Sequence, residues 1–129
     1  MILVPTEMSV QLGESTVQIL KGGTGDPLMV LHQDVGKPGW LPFHELLSAH
    51  FTVFAPSIPG FDKSDRPDWA RNARDLAALQ QWVLKSLNLA DVRLVGLGFG
   101  GWIAAEMATL SPSQFKALVL VGAAGIQPQ

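Results

Sequence analysis

The sequence predicts an α/β domain, with a mostly parallel sheet covered by helices on both faces. Short apolar runs alternate with longer segments in which apolar residues recur every three or four positions, the pattern of strands alternating with amphipathic helices. Some short runs, such as PLMVL at residues 27–31, are apolar throughout, as in parallel strands buried on both sides. A length of 129 residues is typical of one domain, and neither a repeat nor a linker divides it, so residues 1–129 are assigned to a single domain.

About six strands are predicted. The first two, at residues 8–12 and 15–20, flank the turn residue Gly13 and are expected to pair antiparallel because the connection is so short. The remaining strands are predicted at residues 27–31, 51–55, 91–96 and 115–121, and the helices at residues 41–50, 76–87 and 99–110. Pro112 marks the end of the third helix, since proline cannot continue it.

Composition excludes several classes of function. The formal net charge of −2 provides no basic footprint for nucleic acid. No apolar run approaches the roughly 20 residues of a membrane span, and the N-terminal residues lack the basic start of a signal peptide. The chain has no cysteine, which removes disulfides and thiolate metal sites and fits a reducing compartment. We therefore expect a cytoplasmic protein that is independent of membranes and nucleic acids.

The stretch GLGFGG at residues 96–101 fits two different strand-to-helix turns. With Gly96, Gly98 and Gly101 it matches G-x-G-x-x-G, the dinucleotide-binding fingerprint. It also matches G-x-S-x-G, the nucleophile elbow of serine hydrolases, with Gly98 in place of the serine. Since the elbow residue has a strained backbone with φ above zero, a positive φ is expected at Gly98. The fingerprint requires an acidic residue about 20 positions later, and residues 119–125 contain none. Dinucleotide binding therefore stays as an alternative, and the elbow is preferred.

Four motifs in order resemble the first two-thirds of the α/β-hydrolase fold. They are the turn at residues 32–34 with the Gly39-Trp40 pair after it, the loop PGFDKS at residues 59–64, the elbow and its helix at residues 96–108, and the strand at residues 115–122. The overall similarity is to ester and carbon–carbon bond hydrolases related to the meta-cleavage product hydrolases. This resemblance implies a truncated α/β-hydrolase fold.

The same resemblance implies a catalytic triad that this chain does not contain. The family needs a nucleophile, then an acid, then a histidine, in that order along the chain. Here Gly98 stands at the nucleophile position, no aspartate follows Asp91, and the last histidine is His50. We therefore expect a hydrolase-like protein, for ester or carbon–carbon bonds at the family level, that is catalytically inactive as given. The alternative is a non-catalytic binding or assembly module.

The resemblance also implies where an oxyanion would have been stabilised. It assigns this role to the backbone N–H of Phe99, at a helix N-terminus that favours anions, and to the turn that contains Gln33 and Asp34. Gln33 replaces the family's glycine, and the Asp34 carboxylate would repel an oxyanion. Gly98 is thus a degenerate nucleophile position, and Phe99 and Asp34 are vestigial oxyanion-hole positions.

The other polar candidates are interpreted as structural. His32 at a strand end is expected to be a hydrogen-bonded structural residue, His44 and His50 to be surface or boundary residues of the first helix, and Ser64 to form a turn. With three scattered histidines and no carboxylates at ligand spacing, neither a metal nor a cofactor is expected.

The last strand is expected to be an open, apolar edge. In the resembled sheet a further strand lies beside it, and Lys116 is its only charge. Unpaired edges and uncovered apolar faces invite another chain. We therefore expect a homodimer or higher homo-oligomer, formed through this strand or the uncovered face of the sheet.

Overall fold

The computed structural model describes residues 5–33, 39–58 and 64–123, which form one mixed sheet with helices on both faces. The predicted fold class is confirmed. The elements are β1 (Thr6–Leu12), β2 (Ser15–Gly22), β3 (Asp26–Leu31), α1 (Pro42–Ser48), β4 (Phe51–Pro56), α2 (Ala73–Ser86), β5 (Val92–Leu97), α3 (Phe99–Leu110) and β6 (Phe115–Val121), with one 3₁₀ turn at Pro112–Gln114.

The strand order in the sheet is β1-β2-β4-β3-β5-β6. β1 and β2 pair antiparallel, as predicted, and β2 is also antiparallel to β4. The pairs β3–β4, β3–β5 and β5–β6 are parallel. Because the chain goes from β3 to one side for β4 and to the other side for β5, the carboxyl ends of β3 and β5 border a topological switch point, where open α/β sheets place ligands.

Successive side chains along each strand point to opposite faces of the sheet, so one apolar layer forms on each face. Helices α2 and α3 cover one face, where the larger cluster includes Leu31, Leu79, Leu94, Ile103 and Met107, all buried. Helix α1 covers part of the other face, where the buried residues are Leu28, Val30 and Val53, with Trp40, Phe43 and Leu47 packed against them. The sheet is thus covered on both faces where helices pack against it. This packing holds in place the strand ends at which the site lies.

The first helix contradicts one expectation. His44 is 3% exposed, so its interpretation as a surface or boundary residue is wrong. Its ring lies against Trp40 and Phe43, with centroid distances of 5.1 and 4.0 Å. Its Nδ1 accepts a hydrogen bond of 3.0 Å from the Leu41 N–H at the start of α1. The ring is buried because it both packs and caps the helix.

The last strand is the outermost strand of the sheet on its side, and it is exposed. Val119 and Val121 are each 51% exposed and Leu118 is 38% exposed. Val119 and Val121 pair in register with Val95 and Leu97, two residues that belong to the cluster under α1. Within the described residues, the predicted open apolar edge is confirmed, and an apolar part of the α1 face is exposed beside it.

Candidate functional site

The turn between β5 and α3 consists of one residue, Gly98. Its φ of 55° and ψ of −119° lie in a region that a side chain makes costly, and the predicted positive φ is confirmed. The Gly98 N–H donates to the Val121 carbonyl at 2.9 Å, so the last strand holds the turn in place. α3 then begins at Phe99. The backbone has the sharp strand–turn–helix geometry expected of a nucleophile elbow.

The glycines around Gly98 allow α3 to approach the sheet closely. A Cβ on Gly96 would lie 2.5 Å from the Gly101 Cα, and one on Gly101 would lie 2.6 Å from the Ala123 Cβ. A Cβ on Gly100 would collide with the backbone carbonyls at the end of β3. Sequence reasoning assigned Gly101 only to the dinucleotide fingerprint and missed this packing role, for which the Gly-Gly pair in the first turn of a helix is the signal.

The elbow and the end of β3 are joined directly. The Gly100 N–H donates to the His32 carbonyl at 3.0 Å, and Leu31 pairs in register with Gly96. The N–H of Phe99 lies in the first turn of α3, where helix geometry provides no partner four residues earlier. Asp34, the other predicted oxyanion-hole position, lies outside the described residues. Of the two predicted oxyanion-hole positions, Phe99 is therefore the one that the structure describes.

His32 has the structural role expected of it. The side chain is buried, and its Nε2 accepts a hydrogen bond of 2.8 Å from the Ile58 N–H. Because an acceptor nitrogen carries no proton, Nδ1 is the protonated nitrogen and donates to the Gln33 carbonyl at 2.7 Å. Nε2 thus ties the end of β3 to the segment after β4, while Nδ1 is engaged by the neighbouring Gln33 carbonyl. Neither ring nitrogen is left to act as a general base.

Ser64 is also structural. It is buried, and its Oγ accepts a 2.9 Å hydrogen bond from the Gln18 N–H. The neighbouring Asp65 N–H donates to the Thr16 carbonyl at 2.9 Å, and its Oδ2 accepts from the Thr16 N–H at 3.1 Å. These bonds satisfy backbone groups of β2 beyond the end of β4. The rest of the predicted loop motif, residues 59–63, lies outside the described residues.

The side chains near the elbow limit the reactions that the site could support. Gly98 offers a hydrogen atom where a serine would present an oxygen. Across the described ranges, no three histidine or carboxylate side chains are placed to hold a metal ion. Within those same ranges, none of the helices combines the length and the apolar character needed to cross a membrane. What the described site offers is a backbone N–H at a helix start, held rigidly beside the end of β3.

Comparison with known proteins agrees with this geometry. Residues 17–129 match the model of a family described as the alpha/beta hydrolase fold. The chain is 36% identical over 115 residues to the 2-hydroxymuconate semialdehyde hydrolase of Pseudomonas sp. strain CF600, covering 81% of this chain and 38% of that protein. It is 32% identical over 109 residues to the 2-hydroxy-6-oxo-2,4-heptadienoate hydrolase of Pseudomonas putida, covering 81% of this chain and 40% of that protein.

Solved structures show the same likeness. A membrane phospholipase A, described as a bacterial virulence factor, superposes with a TM-score of 0.87 at 28% identity, over 96% of this chain and 41% of that one. A putative lipase from Acinetobacter baumannii superposes with a TM-score of 0.89 at 23% identity, over 97% of this chain and 44% of that one, which shows the fold. The chain thus spans about two-fifths of the length of the proteins it matches, a smaller share than the two-thirds that its motifs implied.

Proposed function

Because the chain belongs to the α/β-hydrolase fold family, we propose that it is the elbow-bearing portion of a hydrolase of ester or carbon–carbon bonds, and that the 129 residues alone are catalytically inactive. The observation that carries the proposal is Gly98, which adopts a positive φ between β5 and α3 and brings no oxygen. The turn is retained and the nucleophile is not. The names of the two Pseudomonas relatives, a 2-hydroxymuconate semialdehyde hydrolase and a 2-hydroxy-6-oxo-2,4-heptadienoate hydrolase, support a hydrolase.

The inactivity follows from what covalent acyl transfer requires. A hydroxyl attacks only when a base removes its proton, and the base must itself be oriented. No histidine follows His50 and no aspartate follows Asp91 in this sequence, so neither partner occurs at the family's position. His32 is engaged through both ring nitrogens. The remaining contribution is electrostatic: the Phe99 N–H can bind a substrate oxygen but cannot replace the missing groups.

The first test is an activity assay on the purified chain. It uses p-nitrophenyl acetate for ester hydrolysis and a 2-hydroxy-6-oxo-dienoic acid for carbon–carbon hydrolysis, each followed by absorbance. Heat-unfolded protein at the same concentration is the control, since it retains any reactivity of free amines and imidazoles. We expect equal rates from folded and unfolded protein. A folded-state rate tenfold higher, saturable in substrate, would contradict the proposed inactivity.

A second candidate function is a non-catalytic assembly module, acting as a homo-oligomer in the cytoplasm. The exposure of Val119 and Val121 on the outermost strand favours it. A third candidate, dinucleotide binding through Gly96, Gly98 and Gly101, is tested by titrating the tryptophan fluorescence with NAD and NADP. Saturable quenching at micromolar concentration would favour this third function over the other two.

A further inference from the structure

A cavity of about 700 Å³ opens far from the elbow, between the β1–β2 turn, the segment after Ser64 and the outer side of α2. The turn contributes Leu12 to Ser15, the segment contributes residues 65–69, and α2 contributes Leu79 and Trp82. Its volume is within the range of about 300–1,000 Å³ that is typical of small-molecule sites. All of its lining residues lie between positions 12 and 82, so it is built without the elbow or β6.

Two tryptophans form a corner at this cavity. Trp69 and Trp82 are 49% and 51% exposed, although indole rings in a folded protein are usually well covered. Their ring centroids are 6.2 Å apart and the ring planes are inclined by 59°, so the two rings present two walls at an angle. Such walls attract a cation placed within about 6 Å of the ring centroids, and tryptophan does so best of all side chains.

The charges around the cavity favour the same kind of ligand. Glu14, Asp65 and Asp68 line it together with one cation, Arg66. Asp65 Oδ2 accepts from the Thr16 N–H, and Arg66 Nη1 donates to the Ala70 carbonyl at 3.4 Å. Within the described residues, neither Glu14 nor Asp68 is part of an ion pair. Among the lining residues three carboxylates outnumber one guanidinium, and a second guanidinium lies beside the cavity, where the Arg71 Nε donates to the Asp68 carbonyl at 3.4 Å. The balance of charge among the lining residues favours a cation over an anion.

We propose that this cavity binds a small organic cation of the alkylated or quaternary ammonium class. The alkyl groups would lie against the indole rings of Trp69 and Trp82, and the positive charge would lie toward the carboxylates of Glu14 and Asp68. The aromatic corner and the balance of charge each favour this chemistry, and the volume is sufficient for such a ligand. The proposal does not depend on the function of the elbow.

The test compares choline with 3,3-dimethylbutan-1-ol, its uncharged isostere, by tryptophan fluorescence and by ligand-observed NMR on the 129-residue chain. We expect saturable binding of choline and a weaker response to the alcohol, by roughly two- to thirtyfold, which is the range of one cation–π contact. Equal binding of the two compounds, or no binding of choline up to tens of millimolar, would overturn the proposal.

Variants locate the site. Trp82→Leu should weaken choline binding by the same factor, whereas Trp102→Phe, a change at a similarly exposed tryptophan on α3, should leave it unchanged. Glu14→Gln and Asp68→Asn keep shape and lie on the surface, so they serve if the tryptophan variant does not fold, and together they should also weaken binding. Binding that survives these changes, or that is lost with Trp102→Phe, would place the cation elsewhere and refute the assignment.

Discussion

Gly98 separates two requirements that a serine elbow combines. The backbone requirement is a positive φ, and glycine meets it without the steric cost of a Cβ. The chemical requirement is an oxygen on that Cβ, and glycine cannot meet it. The turn can therefore be more relaxed here than with a serine, while its hydrogen bond to the Val121 carbonyl is kept.

The backbone requirement is tested by Gly98→Val. A β-branched residue at φ of 55° is an outlier, so we expect the free energy of unfolding to fall by more than about 1 kcal/mol. Urea denaturation measures it, and Gly98→Ala is the matched control, because alanine adds a Cβ at the same φ without a branch. An unchanged free energy of unfolding in the valine variant would show that φ does not limit the choice of residue here.

The chemical requirement is tested by Gly98→Ser. We expect no gain in p-nitrophenyl acetate hydrolysis over the parent chain, because an unactivated hydroxyl is a poor nucleophile. Gly98→Ala is the control, since it adds the same Cβ without the oxygen. A hydrolysis rate that rises in the serine variant but not in the alanine variant would contradict this prediction. It would mean that some side chain acts as a base for the new hydroxyl.

Single residues were predictable where a local pattern constrains them. The positive φ of Gly98 follows from its place between an apolar strand and a helix, and the structural role of His32 follows from its place at a strand end. His44 shows the limit of local pattern. Its burial depends on stacking with Trp40 and Phe43 and on accepting the Leu41 N–H, and no periodicity of the sequence carries that information.

At the scale of elements, helix α2 begins three residues before the predicted start at position 76. The Asn72 side chain accepts a 2.9 Å hydrogen bond from the Asp75 N–H, and Ala73 then opens the helix. The apolar recurrence marked only the buried face and not the cap. α3 and β6 were predicted with their observed bounds because proline ends one and an apolar run interrupted only by Lys116 forms the other.

The cap of α2 is open to test. Asn72→Ala removes the acceptor for the Asp75 N–H and should lower the free energy of unfolding by about 1 kcal/mol. Asn72→Ser, which retains a capping oxygen, is expected to remain near the parent. Thermal or urea unfolding followed by circular dichroism measures both. If alanine were as stable as serine, the cap would contribute nothing to the stability of this helix.

The order of the strands could not be predicted from the sequence. Alternating patterns predicted a mostly parallel sheet and a hairpin at its start. They did not predict that β4 lies between β2 and β3, since this depends on pairing between distant segments. That order is what brings the ends of β3 and β5 together at the elbow. The site's motifs were therefore visible in the sequence, but their juxtaposition was known only through family resemblance.

For the whole molecule, the exposed side of β6 is the dominant feature. Val119 and Val121 continue the apolar layer under α1 onto an uncovered part of the sheet. Burying apolar surface contributes roughly 25 cal/mol per Å², so a partner covering several hundred square ångströms would gain substantially. A second copy of the chain is the simplest such partner, with two β6 strands adjacent or two faces packed together.

We therefore predict a homodimer or higher homo-oligomer at micromolar concentration, measured by sedimentation velocity. Val119→Lys should shift the population toward monomer, since it places a charge in the contact. Leu110→Lys, at an exposed leucine at the end of α3, is the control and should leave the distribution unchanged. A monodisperse monomer of the parent chain would contradict the prediction.

The hydrogen bond from Gly98 to Val121 has a consequence for how the protein is made. During synthesis the amide of Gly98 leaves the ribosome well before the carbonyl that accepts its proton, and Ala123, against which Gly101 packs, emerges later still. The strands before the elbow can pair while the chain is still growing, and the bond from Gly100 to His32 can form with them, but the bond from Gly98 to Val121 requires the last strand. A ribosome stalled before β6 would therefore hold an elbow that lacks this hydrogen bond.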